Sequence, residues 1–540
     1  MKSQRKLLFF LPLFSLSLLS CSIWDDTKDF KYIEADTTLK KMDPSVFSYD
    51  LPYSSEGRRT PFMPAIGEQK ALVMPIEFPD FPFNDNITDY LDEAFNSETP
   101  SYFESLKTYY QKSSFGKLNI TAEVLPIYRI LENSYEAMNK VATYQHRSTD
   151  FMREAYNYYL EQNLFDPHDY DLNNDGYIDA VYLIYSSPNY LNGLDYYLNN
   201  GLREDRLTEF WAYTYWDYTR TPNKENPYPS SYTWLSVDFF SLSGDKVIDS
   251  RTLIHETSHL MGIKDYYNTD ENNPNYKNLD YKYYSPVGGL DMMDLNLGDH
   301  NMFTKYMLGW ASPYVVTNDL DFPITIELED SNHGSFLIIP TSNDFNGNPF
   351  SEYLLLEFYV PEGLNKLDST YRYRGNYPLL YSSSGLKIYH VDARLKNRHR
   401  SGASYVDGDI VPSITKEDIV NSTSDNFYTY AFSNTPSESK EEGKFLIHLL
   451  ESNGVNTFQN KDYNKYHEKF FANNGSLFNP DSKHGYFDAA KFKDFFKEKD
   501  ENGFIFNDGN FFPYRIKING TEKKGDASFC SLTIEQVSYE

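Results

Sequence analysis

The chain has 540 residues, room for two or three domains with sizeable cores, and its mean hydropathy of −0.61 places most of it among soluble globular proteins. It carries 78 Asp and Glu against 50 Lys and Arg, a formal charge of −28, and this acidity excludes the basic surface a nucleic-acid partner requires. Two cysteines, Cys21 and Cys530, give no disulfide framework, so stability is expected from the core and from bound metal ions, with Cys530 a buried, inert thiol.

The N-terminus reads as an export segment. Lys2, Arg5 and Lys6 precede the apolar run Leu7 to Leu19, which is too short to span a bilayer and has the length of a signal-peptide core. It ends in Leu18-Leu19-Ser20-Cys21, which resembles the lipobox of bacterial lipoproteins and implies a lipid on Cys21. Residues 1–20 are therefore expected to be a lipoprotein signal peptide. Residues 21–65, without periodicity and scattered with Asp, Ser, Thr and Pro, are expected to tether the protein to the outer side of a bacterial membrane. No second run is long enough to cross a bilayer.

Ala71 to Ile76 reads as a buried strand, 88–112 as helical, and Leu118 to Val124 as an alternating strand. Phe151, Met152, Ala155, Tyr156, Tyr159 and Leu160 recur at helical spacing over 148–163. Next comes Asp171-Leu172-Asn173-Asn174-Asp175-Gly176-Tyr177-Ile178-Asp179, with oxygen donors at alternate positions and a glycine at the turn. This pattern is similar to the start of an EF-hand loop and predicts a calcium site from Asp171, Asn173, Asp175, the Tyr177 carbonyl and Asp179, with Asp169 nearby. Position 12 is Tyr182 rather than Glu and a strand follows, so a full EF-hand is excluded. Strands are expected at Ala180 to Tyr185 and Trp234 to Phe240.

The chemistry centres on His255-Glu256-Thr257-Ser258-His259-Leu260-Met261-Gly262-Ile263-Lys264-Asp265. Residues four apart share one helix face, so His255 and His259 can present two imidazoles to one metal, while Glu256 reaches a water beside it. Ser250 or Asp249 is expected to cap this helix. Gly262 can end the helix in a left-handed conformation and return the chain so that Asp265 becomes a third ligand. Three protein ligands leave the fourth position open, as a catalytic zinc requires. The remaining histidines carry no such pattern and are assigned no role.

After Trp310 short strands dominate: Ile324 to Leu328, Ser335 to Ile339, Tyr353 to Tyr359, Leu386 to His390 and Phe445 to Leu450. This predicts an all-β, sandwich-like domain over 316–540 behind an α+β domain over 66–315, with 434–444 an exposed loop.

These residues together resemble the immune inhibitor A family of bacterial zinc metallopeptidases, a metzincin-like group. The resemblance also rests on Gly67 to Val73 with Phe78-Pro79-Asp80, on Tyr110 to Leu118, on Gly288-Gly289-Leu290-Asp291-Met292-Met293-Asp294 and on Leu308-Gly309-Trp310. It continues through Glu352 to Glu357 and Gly385 to Asp392, covering residues 66 to about 395. It implies a zincin-type catalytic domain, with Met293 (or Met292) in a Met-turn beneath the zinc. The expected protein is a surface-anchored zinc endopeptidase that acts on proteins or peptides. Its base is Glu256, with an oxyanion donor among Tyr283, Tyr284 and His300. The alternative is a surface adhesin or binding protein whose β-rich half engages a partner.

Overall fold

A computed structural model describes residues 57–141, 146–241, 247–270, 285–341, 345–373, 377–441, 443–458, 468–480, 485–492, 499–500 and 503–537, with Leu39, Met42, Leu51, Ser54 and Phe495 besides. Cys21, the signal segment, most of the tether, and Tyr283 and Tyr284 lie outside the described residues. Among the described residues no helix is long and apolar enough to cross a membrane.

The first half is built on a six-stranded sheet. Strand β1 (Gly67–Glu77) runs parallel to β2 (Leu118–Val124) on one side and to β3 (Ala180–Tyr185) on the other. The short Tyr128–Arg129 strand pairs in parallel with the C-terminal end of β1. Beyond β3 the order continues through β5 (Ser231–Ser236) to β4 (Tyr213–Trp216), which lies at the edge and is antiparallel to β5. Successive side chains of β1 point to opposite faces, and both faces are buried. Ala71 and Val73 join one core with helices α1 (Ile87–Asn96) and α2 (Leu106–Ser113). Leu72, Met74 and Ile76 join another with Phe151, Met152, Ala155 and Tyr159 of α3 (Arg147–Glu161).

The helix expected over 88–112 is two helices. Pro100 lacks an amide hydrogen and disfavours helix at the residue before it. Ser105 then opens α2 with a capping box, its Oγ accepting from Thr108 N while the Thr108 hydroxyl accepts from Ser105 N. The strand expected over 234–240 ends at Ser236, whose Oγ accepts from Asp238 N and starts a 3-10 turn.

The second half is β-rich. A five-stranded sheet orders β13 (Ile447–Leu450), β9 (Gly385–Asp392), β8 (Glu352–Tyr359), β7 (Leu337–Pro340) and the Tyr314–Val315 strand. A four-stranded sheet orders β6 (Ile324–Glu329), β16 (Ala527–Gln536), β15 (Tyr514–Lys524) and β14 (Tyr486–Asp488). Leu337, Leu354 and Ile388 of the first meet Ile326, Ile516 and Leu532 of the second in one core, so the two sheets face each other. A three-stranded sheet of β11 (Ser404–Ile410), β10 (Leu395–Ser401) and β12 (Asn426–Tyr430) stands beside them.

The opposite face of the five-stranded sheet closes against the first half. Ile338, Tyr353, Leu355, Tyr389 and Leu449 share a core with Phe303, Tyr306 and the helices of the first sheet. Packing is therefore continuous across residue 315, and the arrangement as a whole is α+β with a β-rich second half. Cys530 is a free, fully buried thiol in the core between the two β-sheets, and burial pushes its pKa well up.

Candidate metal centre

Helix α4 (Arg251–Leu260) carries the His-Glu-x-x-His sequence against the sheet, with Leu253, Ile254 and Leu260 buried beneath it. Its start is held by Asp249, whose carboxylate accepts from Arg251 N at 3.2 Å and pairs with the Arg251 guanidinium. Ser250 occupies the N-cap position but spends its hydroxyl on Ala94 O instead. The helix ends at Gly262, which adopts φ 87°, a conformation that would strain any side-chain-bearing residue. There Ile263 N bonds back to Ser258 O, and the chain reverses toward the histidines.

This reversal brings three groups together. Asp265 Oδ1 lies 3.1 Å from His255 Nε2 and 3.5 Å from His259 Nε2. Each imidazole is oriented by its other nitrogen: His255 Nδ1–H donates to Met292 O at 2.8 Å and His259 Nδ1–H to Ile263 O at 2.7 Å. A carbonyl only accepts, so these bonds put the proton on Nδ1 and leave both Nε2 lone pairs aimed at the same place. Asp265 Oδ1, a buried anionic oxygen, then has no hydrogen-bond donor.

Positive charge is what this arrangement calls for. In the protein by itself burial pushes the His259 pKa down, but the Asp265 carboxylate outweighs it and raises the value to about 9. His255 is raised against burial by the same carboxylate, and Asp265, despite burial, is held far below the usual carboxylate range by the two imidazoles. Either a proton or a cation satisfies such a cluster. Among the described residues this is the group of three or more His, Cys, Asp or Glu side chains close enough to hold a metal ion.

Glu256 is buried beside this cluster. Thr214 of edge strand β4 places its Oγ1 2.8 Å from Glu256 O and 3.2 Å from Glu256 Oε2. Burial raises the carboxyl pKa, with the two imidazoles opposing. Tyr267, two residues beyond Asp265, lies in the field of both Asp265 and Glu256, and burial pushes its pKa well up.

The Met292–Leu295 turn serves the cluster through its backbone. Met292 O takes the His255 proton, and Met293 O accepts from Tyr266 N at 2.9 Å, next to Asp265. The turn is fixed by Asp291, at φ 111°, whose carboxylate accepts from Met293 N and Asn301 N at 2.7 and 2.6 Å. Both methionine side chains are fully buried.

His300, expected as one of three oxyanion donors, is spent elsewhere. Its Nε2 lies 3.0 Å from Ser258 Oγ on the buried side of α4, and its Nδ1 lies 3.6 Å from Asp291 Oδ1. The segment expected to be an exposed loop over 434–444 is also different at its start. Asn434 and Thr435 are buried because they bond to the 266–269 segment that follows Asp265. An open cleft of about 640 Å³ runs between the halves, lined by Trp216, His259 and Asp265 on one side and by Lys396, Arg398 and Tyr430 on the other.

The 171–179 loop is folded by its own carboxylates. Asp171 accepts from Asp175 N and Gly176 N, Asp175 from Tyr177 N, and Asp179 from Leu172 N, all at 2.9 Å. Burial and the neighbouring Asp171 raise Asp175, and burial with Asp175 and Asp171 raises Asp179 to about 7. The loop concentrates unneutralised acid, but its carboxylates do not gather as tightly as the histidine cluster does.

Sequence reasoning missed Thr214, Tyr267 and Asn434. Tyr267 was within reach of inspection, directly beyond Asp265. Thr214 and Asn434 carry no motif, and only the edge position of β4 and the docking of the second half bring them to the site. No family model matches the chain, and no curated protein matches it.

Proposed function

We propose that the chain is a zinc-dependent endopeptidase of the metzincin-like, immune inhibitor A type. One observation carries this reading: two imidazoles locked by carbonyl acceptors converge with a donorless buried carboxylate oxygen. Ligand atoms around a tetrahedral zinc stand about 3.3 Å apart, given bond lengths of about 2.0–2.1 Å. The 3.1 and 3.5 Å separations at Asp265 fit that requirement, and all three ligand atoms lie within 4.8 Å of one another.

His255, His259 and Asp265 would hold a zinc ion, which would supply Lewis-acid polarisation of the scissile carbonyl and acidify a water. Glu256 would take a proton from the attacking water and return it to the leaving amine nitrogen. Thr214 steadies the Oε2 side of the carboxylate, leaving the other oxygen for the water. The cleft, of about 640 Å³ and partly open to solvent, has room for a peptide segment.

The acidic 171–179 loop is proposed to take calcium, which would neutralise Asp175 and Asp179. Export and lipidation at Cys21 are proposed on the N-terminal sequence alone. Casein cleavage tests the enzymatic reading. It should disappear on chelation and in Glu256→Gln, by about 10²–10⁴-fold for loss of a general base, while Glu256→Gln keeps its zinc. Unchanged cleavage in that variant would exclude the mechanism.

A further inference from the structure

We infer that Asn434, in the β-rich half, is a positioning residue for the metal ligand Asp265; the inference rests on the zinc reading above. Asn434 lies 168 residues along the chain from Tyr266 and is almost completely buried. Its side-chain amide donates to Tyr266 O at 2.8 Å and to Ile447 O at 3.0 Å, while its Oδ1 accepts from Ile447 N at 3.2 Å. The amide is thus tied to strand β13 on one side and to the residue after Asp265 on the other.

Tyr266 is held at both backbone ends. Its N–H goes to Met293 O and its carbonyl takes the Asn434 donor. The clamp continues outward, with Thr269 N bonding to Thr435 Oγ1 at 3.2 Å and Asp270 accepting from Ser437 N and Oγ at 2.6 and 3.0 Å. Asp265 itself follows a helix-ending turn, and its short side chain cannot compensate for a moving backbone. A ligand must be held within about 0.5 Å of its productive position. The two histidines sit on the helix itself; Asp265 lies beyond its end, where the Met293 carbonyl on one side and the second half on the other hold the backbone. On this account the β-rich half completes the metal site as well as forming one wall of the cleft.

The test measures zinc affinity by competition with a chromogenic chelator, together with thermal melts of the full chain with and without zinc. Asn434→Asp keeps the volume and removes both donors. Ser437→Ala is a milder lesion on the same clamp and carries the test if Asn434→Asp does not fold. The control is Asn519→Ala, a buried amide on β15 that bonds to Ser531 and Thr533 within the four-stranded sheet. Partners of metal ligands typically contribute about 10–100-fold to affinity. Asn434→Asp is expected to weaken zinc about tenfold, shrinking zinc-induced stabilisation by about 1.4 kcal/mol, and Ser437→Ala to weaken it less. Asn519→Ala should lower the melting temperature of the metal-free chain and leave zinc affinity unchanged. Wild-type zinc affinity in both Asn434→Asp and Ser437→Ala overturns the inference while leaving the zinc site standing, as does an equal loss in Asn519→Ala. A wild-type chain that binds no zinc overturns both.

Discussion

Ser258, His300 and Asp291 form a line that looks like a nucleophilic triad and is expected to do no chemistry. Ser258 Oγ stands 3.0 Å from His300 Nε2, but His300 Nδ1 is 3.6 Å from Asp291 Oδ1, beyond a hydrogen bond. Ser258 is fully buried, and the Tyr110 and Trp310 rings pack around His300 at centroid distances of 6.3 and 6.0 Å. No substrate carbonyl can approach. The perturbation is Ser258→Ala. Tyr110 keeps its bond to Ile254 O at 2.6 Å, so the group left unsatisfied is His300 Nε2. Orphaning one buried polar group costs about 1–3 kcal/mol. Urea unfolding of the metal-loaded chain should show that loss, and casein cleavage per zinc-loaded molecule should equal wild type. Abolished cleavage in a folded, zinc-loaded Ser258→Ala chain would refute the reasoning and point to a serine nucleophile. Unchanged stability would refute the bond count.

Two further outcomes follow from buried charge. Asp179 has its pKa raised to about 7 by burial and by Asp175 and Asp171. The folded state therefore holds a proton the unfolded state has released between about pH 4 and pH 7, so the wild type loses stability as pH rises through that window. Asp179→Asn should stabilise the cation-free chain at pH 8 by up to about 4 kcal/mol, at about 1.36 kcal/mol per unit, with no difference at pH 3. Millimolar calcium should stabilise wild type and not the variant. Urea midpoints across pH, with and without calcium, check both statements. Lys387 pairs with Glu357 in the core where β8, β9 and Met302 meet, and Glu357 Oε2 also accepts from Met302 N at 2.9 Å. Lys387→Ala leaves Glu357 buried without its cation and is expected to cost about 3–5 kcal/mol in the same denaturation assay; a loss below about 1 kcal/mol would show the pair to be hydrated.

Local patterns made part of this molecule legible in the sequence. The apolar runs at 71–76 and 180–185 are strands because both of their faces are buried, which needs no knowledge of neighbours. The His255, His259 and Asp265 spacing specifies a cluster because a helix and one left-handed glycine fix it within eleven residues. What failed depended on distant partners. Residues 434 and 435 read as polar and exposed, yet they are buried because Tyr266 and Thr269 need hydrogen bonds that only another segment supplies. His300 lay in the right stretch for an active-site donor, and nothing local reveals that Ser258 claims it from behind the helix. The Met292-Met293 turn was expected as an apolar floor beneath the metal; that its two carbonyls also touch His255 and Tyr266 is a contact no motif announces.

Metal content is the most direct measure of the central claim. Purified chain, saturated with zinc and desalted, should retain one equivalent by elemental mass spectrometry, as should Glu256→Gln, whereas His259→Ala and Asp265→Ala should each lose it. A wild-type chain that retains none, or ligand variants that retain it undiminished, would contradict the account.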